Sequence, residues 1–566
     1  MPTGIEAVIE ILAGSGVRYV FGNPGTTELP LNDALVADRR LRYVLGLQEV
    51  PVMAMADGYA MASGQIGFVN LHISCGLGNA MGMLYNALRE GTPLVVTAGQ
   101  QDRRLAFEEP ILGGDMVSVT RPWTKWSYEV QRVQDLPNAL RRAMQAALTP
   151  PTGPVFLSLP IDVQRERCDQ LDLSPVQIPD PGVRPPREAL EKAAVLLRSA
   201  RNPVILAGSR ITERGAMPPL VQLADMLGVP VYSEPGTTHG RLAFPCDHEL
   251  NAQGLPLWSP EIGARLAEFD VAFVVGMDLF RQYVYHEPSR ALPESIRVIH
   301  LDEDSWQIGK NYPCEIGLLG NCRAGLEELV EILDQTMTPD ERTGCAGRRA
   351  VHAARHREAR DQLRRQVEQQ RAQRPLSPLA LMGTVAGVLP KNIAVIEEAV
   401  TTTNTTLERL GAIGNGTGYF GHRGWALGWG LGVTLGVKLA WPERPVLGIL
   451  GEGAAMYGIQ GLWSAARYQI PVTYLICNNA QYQILKIGAK GLGLPHALRD
   501  QYEGLDLSGP EIDLVAMARA MGVEAHRVGE PDELADHLQR AWTRTAPLLL
   551  DVPIAQTTQS RLQYGS

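Results

Sequence analysis

Cysteine is scarce in this chain and unpaired in pattern. The 566 residues hold seven cysteines with no C-x-x-C pair, so neither a zinc ribbon nor a disulfide framework is expected. Cys75 and Cys477 sit inside apolar runs and read as core thiols. Basic charge is also short. Against 61 Asp and Glu stand 52 Lys and Arg, a formal charge of −9, which argues against non-specific nucleic-acid binding. A membrane span is not expected: the most apolar stretch, residues 424–441, is Gly-rich, holds Lys438 and reads as buried turn and helix. The first residues, MPTGIEAVIEILAGSG, carry Glu6 and Glu10 where a leader would be basic, so no signal peptide is expected and a reducing cytoplasm is the expected compartment. What is present, 45% apolar and 20% charged residues, is the composition of a soluble globular protein. The length suits three or four domains.

Apolar runs closed by Gly, Pro or a polar residue alternate with segments of helical period. Residues 4–16 place Ile5, Val8, Ile9 and Leu12 on one helical face. Strands are expected at 17–21, 41–47, 66–73, 94–98 and 154–159, with a helix at about 50–63. The Pro-rich 175–186 reads as an extended linker. A second set of strands follows at 203–207, 229–233, 271–276 and 297–301. Residues 338–374 are a solvated helix or a mobile linker, and their Ala, Arg, Gln and Glu content favours helix. A third set begins at Ser377, with a helix at 378–388, strands at 393–396, 446–450, 472–477 and 547–552, and helices at 512–521 and 531–543. This alternation predicts an α/β protein of three doubly wound parallel-sheet domains. Their expected limits are 1–173, 187–337 and 375–566, with 338–374 as a charged linker or helix. The first and third units share one strand-helix plan, as a duplication would leave them.

The stretch 448–482 carries the plainest chemistry. It reads as strand, Gly-flanked acid (Gly451-Glu452-Gly453), helix, second strand, and the polar turn Asn478-Asn479-Ala480-Gln481. Neighbouring parallel strands bring their carboxyl ends together, so Glu452 and Asn479, 27 residues apart, are expected to meet. A carboxylate, an amide oxygen and a turn carbonyl form an all-oxygen set of the kind Mg²⁺ takes. Gly453 lets a phosphate approach the backbone, and a helix N-terminus favours its charge. In the first unit Thr26, Glu49 and His72 each close or interrupt an apolar run. All three are expected at one sheet edge, where such folds bind ligands. A carboxyl beside apolar Val50, Pro51, Val52 and Met53 is suited to sharing a proton with a ring nitrogen.

These motifs carry a resemblance. GNPGTTELP (22–30), LQEVPVMAMADGYA (47–60), FVNLHISCGLGNAMG (68–82), PLVVTAGQQDR (93–103), RPWTKWSYEV (121–130), LGEGAAMYGIQGLWSAARYQIP (450–471) and CNNAQY (477–482) span most of the chain. In them the sequence resembles thiamine-diphosphate-dependent 2-oxo acid decarboxylases and carboligases, above all the benzoylformate decarboxylases. The resemblance implies pyrimidine-binding, central and diphosphate-binding domains, with thiamine diphosphate and Mg²⁺ as cofactors. It implies loss of CO₂ from an aryl or alkyl 2-oxo acid through an adduct at the thiazolium C2 and an enamine, with an aldehyde acceptor where carboligation follows. Active sites between subunits are implied too, hence a homodimer or homotetramer. Glu49 matches the glutamate on the aminopyrimidine, Leu427 the apolar prop of the bent cofactor, and Glu452, Asn479 and the Gln481 carbonyl the metal set. Thr401, Gly453, Ala454 and Tyr482 match diphosphate contacts, His72 an active-site histidine, and Thr26 the serine that holds the substrate carboxylate. Some relatives bind FAD in the central domain; nothing in this sequence compels it.

The pattern is departed from at four places. Glu452 stands where the family has Asp, which pushes the carboxylate outward by about 1 Å. Thr26 replaces serine and is stiffer at χ1. A second active-site histidine maps to FRQYVYHEP (280–288), where Tyr283 and His286 are both candidates. HRGWALGWGLG (422–432) carries an extra residue before Leu427, with Trp425 beside it. Two other readings stand beside the decarboxylase: a carboligase of acetolactate synthase or aldehyde lyase type, and a non-catalytic binding protein of the same fold in which Glu452 has disabled metal binding.

Overall fold

The computed structural model describes residues 1–178, 180–234, 240–282, 285, 287 and 289–556. Among them are three six-stranded sheets in which every pairing between strands is parallel. The first holds β1 (Tyr19–Gly22), β2 (Arg42–Leu45), β3 (Gly67–Leu71), β4 (Leu94–Gln100), β5 (Ser127–Glu129) and β6 (Val155–Pro160), in the order β2-β1-β3-β4-β6-β5. The second holds β7 (Pro203–Ala207), β8 (Val231–Ser233), β9 (Asn251–Gly254), β10 (Val271–Val275), β11 (Arg297–Asp302) and β12 (Ile316–Leu319), ordered β12-β11-β10-β7-β8-β9. The third holds β13 (Ala394–Glu398), β14 (Tyr419–Phe420), β15 (Val446–Gly451), β16 (Thr473–Asn478), β17 (Glu524–Arg527) and β18 (Leu548–Pro553), ordered β14-β13-β15-β16-β18-β17. The third order repeats the first, strand for strand.

Helices cover both faces, so the middle strands lie wholly buried: β3, β4, β7 and β16 have hardly an exposed position. This is why their sequences read as unbroken apolar runs. Residues 338–374 resolve as helix: Pro339–Gln370 starts at a capping box between Thr338 and Glu341, with Pro339 in the first turn. It buries Cys345, His352, Ala353 and Leu363 and leaves most other positions to solvent.

One packing joins the first and third units and fixes the two helices whose N-termini carry Glu49 and follow Leu427. The Glu49–Ser63 helix lies along the Trp429–Ala440 helix in a shared core with Val52, Met55, Tyr59, Leu431 and Val433. The approach is close enough to need glycine: a Cβ on Gly436 would collide with the Met55 carbonyl oxygen. The helices run parallel, since Pro51 and Ala54 face Gly432 while Met55 and Tyr59 face Gly436. Their N-termini, at Glu49 and Trp429, therefore stand at the same end.

Two local expectations are corrected. The third strand stops at Leu71, and Ile73, at φ 43°, turns the chain into the Ile73–Glu90 helix. Cys75 is thereby carried onto the outer face of a first helical turn and is exposed, not a core thiol, whereas Cys477 in β16 is buried.

Candidate active site

Thr26, Glu49 and His72 follow the carboxyl ends of β1, β2 and β3, which are adjacent in the sheet. The structure brings them to one edge by topology alone. Glu49 is the first residue of its helix and is buried; Asn79 Nδ2 donates to its Oε2 at 3.0 Å. The preceding turn is closed by Gln48, whose side chain accepts from Val50 N. His72 is the N-cap of its helix and points Nδ1 at Glu28 Oε2, 2.7 Å away, with Thr27 Oγ1 at 3.5 Å. Glu28 is itself fixed by Gly99 N and Thr27 Oγ1, both at 2.8 Å to Oε1. With a carboxylate on Nδ1, that nitrogen carries the proton, and Nε2 is the nitrogen left to take one from a ligand. Thr26 is exposed, so its hydroxyl is open to solvent.

The second group lies at the carboxyl ends of β15 and β16, paired with Gly451 opposite Cys477. Glu452 opens the short Glu452–Ala455 helix and is buried. Its Oε1 and the Asn479 Oδ1 both accept from the same amide, Gln481 N, each at 3.1 Å. Two side-chain oxygens thus converge beside the Gln481 turn, where Ala480 takes a positive φ of 55°. Burial pushes the Glu452 carboxyl up, and Asp551 adds to this, against N–H groups of residues 452, 481 and 479 that pull it down. A buried carboxylate with a second acid behind it favours a cation. One carboxylate with amide-type oxygens is the set Mg²⁺ accepts; among the described residues no cluster of three or more His, Cys, Asp or Glu offers a metal another site. The residues present fit the metal.

Gly453 and Tyr482 are in contact: a Cβ on Gly453 would lie 2.7 Å from Tyr482 Cε1. Ala454 continues the same turn, buried, and Thr401 lies half-buried in the Val400–Thr403 helix after β13. Leu427 is 37% exposed, on the turn before the Trp429–Ala440 helix. Trp425 reaches that turn at φ 63° and Gly428 at φ 94°. The turn is held from beneath by Glu398, which accepts from Gly428, Trp429 and Gly430 N at 2.9, 3.1 and 2.9 Å. Val50, next to Glu49, lies against Gly428. Tyr283 and His286 lie outside the described residues.

The sequence reading missed the partners. Glu28 and Thr27 stand in the same Gly-Thr-Thr-Glu turn as Thr26, and an acid in a strand-end turn was the available signal. Asn79 and Glu398 reach their partners from another element, and no local signal marks them.

The first and third units share one strand order, and each carries a polar edge at the carboxyl ends of its strands, which defines a protein of paired α/β units with ligand-binding edges. Family models agree. "Thiamine pyrophosphate enzyme, N-terminal TPP binding domain" matches residues 2–112, the central domain of the same enzymes 190–329, and their C-terminal TPP binding domain 402–552. The chain is 34% identical to a benzoylformate decarboxylase of Pseudomonas aeruginosa, over 98% of this chain and 99% of that one. It is 28% identical to a probable acetolactate synthase large subunit of Methanocaldococcus jannaschii, over 97% and 92%. Among solved structures, a thiamine diphosphate-dependent 4-hydroxybenzoylformate decarboxylase of Rhodococcus jostii RHA1 superposes with a TM-score of 0.86 at 29% identity, over 99% of this chain and all of that one. The chain belongs to the thiamine pyrophosphate enzymes.

Proposed function

We propose that this protein is a thiamine-diphosphate- and Mg²⁺-dependent lyase that removes CO₂ from an aryl or alkyl 2-oxo acid without oxidation. The observation that carries this is the pair of polar edges: Glu49 and His72 at one, the converging oxygens of Glu452 and Asn479 at the other. When bound, the cofactor would supply an electron sink for the bonding pair left behind as CO₂ departs. Glu452, Asn479 and the Gln481 carbonyl would hold the metal, and Thr401, Gly453, Ala454 and Tyr482 the diphosphate. Glu49, oriented by Asn79, holds a proton with the aminopyrimidine ring. Leu427 would support the cofactor, with Trp425 near it in the chain. Thr26 offers a hydroxyl to the substrate carboxylate, and His72 moves a proton at Nε2. Tyr283 or His286 is the proposed second proton donor.

The domain limits 1–173, 187–337 and 375–566, with 338–374 as the connecting helix, belong to this proposal, supported by one sheet in each unit. So do a cytoplasmic location and a homodimer or homotetramer with sites between subunits. Among the described residues no helix is long and apolar enough to cross a membrane. CO₂ release from a panel of 2-oxo acids tests the reading, with thiamine diphosphate and Mg²⁺ added. Wild type should release CO₂ from at least one acid, and Glu49→Gln should lose roughly 10²–10⁴-fold; bound cofactor without CO₂ from any acid would overturn it. The acetolactate synthase relatives support a second reading, carboligation, and a strict requirement for an acceptor would select it.

A further inference from the structure

The central sheet reverses its strand order between β7 and β10, and an open α/β sheet takes its ligand at the carboxyl ends of strands beside such a reversal. In this chain protein side chains occupy that crevice. Arg210, three residues past β7, places Nη2 2.8 Å from both Asp278 Oδ1 and Asp302 Oδ2. Glu234 follows β8 and accepts from Ser209 Oγ at 3.2 Å. Into the space between these acids comes Arg423 from the third unit, with its side chain 2% exposed. Its Nη2 lies 3.1 Å from Glu234 Oε1 and 3.1 Å from Asp278 Oδ2. Its backbone N–H donates to Glu90, the last residue of the Ile73–Glu90 helix of the first unit. One residue thus touches all three units.

Arg423 stands four residues before Leu427. Between them Asn86 of the first unit grips Ala426 at both backbone groups, accepting from its N–H at 3.0 Å and donating to its carbonyl at 2.8 Å. Glu398 holds the three amides that follow Leu427. The turn is therefore pinned after and within its length by contacts to its backbone, and at its start by a cation whose Nη2 lies between buried Glu234 and half-buried Asp278. We propose that Arg423 is a positioning residue for the cofactor-supporting turn, anchored in the crevice of the central sheet. This rests on Leu427 facing the cofactor. Lysine is a flexible point charge without the planar, preorganised guanidinium that sets Nη2 between Glu234 and Asp278, so it is a partial substitute here.

The test uses R423K and the double variant R423M/E234Q, which also neutralises Glu234 and leaves Asp278 with Arg210 and with Arg281 at 3.3 Å. Hydrogen exchange of residues 420–432 is read in cofactor-free protein, and thiamine diphosphate affinity by calorimetry with Mg²⁺. The double variant should keep a cooperative melt, exchange faster at amides 426–430 alone, and bind the cofactor about tenfold or more weaker, about 1.4 kcal/mol; R423K should fall between. If the double variant does not fold, R423K decides by the same two readouts. Unchanged exchange at 426–430 with affinity within about twofold of wild type would overturn the proposal. Should wild type itself bind no cofactor, the functional reading fails, and the exchange result still decides the anchor.

Discussion

His72 is held through Nδ1 by a buried acid, and that acid is held by a backbone amide. The chain of contacts fixes the ring's tautomer as well as its direction. His72→Ala should therefore lower kcat roughly 10²–10⁴-fold, as loss of a proton-transfer group does. Glu28→Gln, which keeps the shape and offers Nδ1 a neutral partner, should lower kcat by less than His72→Ala and change its pH profile; wild-type kcat at every pH in the Glu28→Gln variant would refute the role given to Glu28. A second buried acid predicts a pH effect on stability. Burial raises Glu398 from 4.5 to about 7, against the pull of the Gly430, Trp429 and Gly428 amides. In the unfolded chain the same group ionises near 4.5. Its contribution is thus full below that pH and lost as pH rises through about 7. Relative to Glu398→Gln, wild type should lose up to roughly 3 kcal/mol across that window. Denaturant titrations at pH 4.5 and 8 measure it, and a pH-independent difference would contradict it. At this scale the sequence showed the groups that end strands, because a polar residue closing an apolar run is visible locally. It hid Asn79, Asn86 and Glu398, whose meaning comes from residues up to 340 positions away.

Buried parallel strands announce themselves as apolar runs, and β3, β4, β7, β10, β15, β16 and β18 were legible for that reason. The short edge strands β5, β9, β12 and β17 each bury at most one position, and β14 has two residues; none shows an apolar run long enough to read. The pairing of the Glu49–Ser63 and Trp429–Ala440 helices was not legible either, since Gly58, Gly432 and Gly436 look like poor helix formers until a partner backbone is beside them. Within one chain this pairing sets where Glu49 stands relative to Leu427. Gly436→Ala should destabilise the fold by about 1–3 kcal/mol through overpacking, even though alanine favours helix by about 1 kcal/mol. It should also lower turnover by displacing the two N-termini. Chemical denaturation decides: a variant as stable as wild type would mean the helices do not pack this closely.

At the scale of the whole molecule, the edge that bears Glu49 and His72 also bears a loop with large apolar side chains that no described residue covers. Past β4 the chain leaves Phe107 99% and Ile111 83% exposed. Water contact with side chains of this size is unfavourable by about 25 cal/mol for each Å², and a symmetric partner is the usual cover for such a surface. The proposed assembly explains it, since a second copy seated at this edge would bury the loop and close the site from water together. Phe107→Asp with Ile111→Asp places two charges in that contact while disturbing no buried side chain of the single chain. The double variant should shift toward monomer in sedimentation velocity and lose activity in proportion to the dimer lost, while its unfolding in urea at high dilution matches wild type. Full activity in a monomer would separate the apolar loop from catalysis and remove the reason for placing the site between subunits.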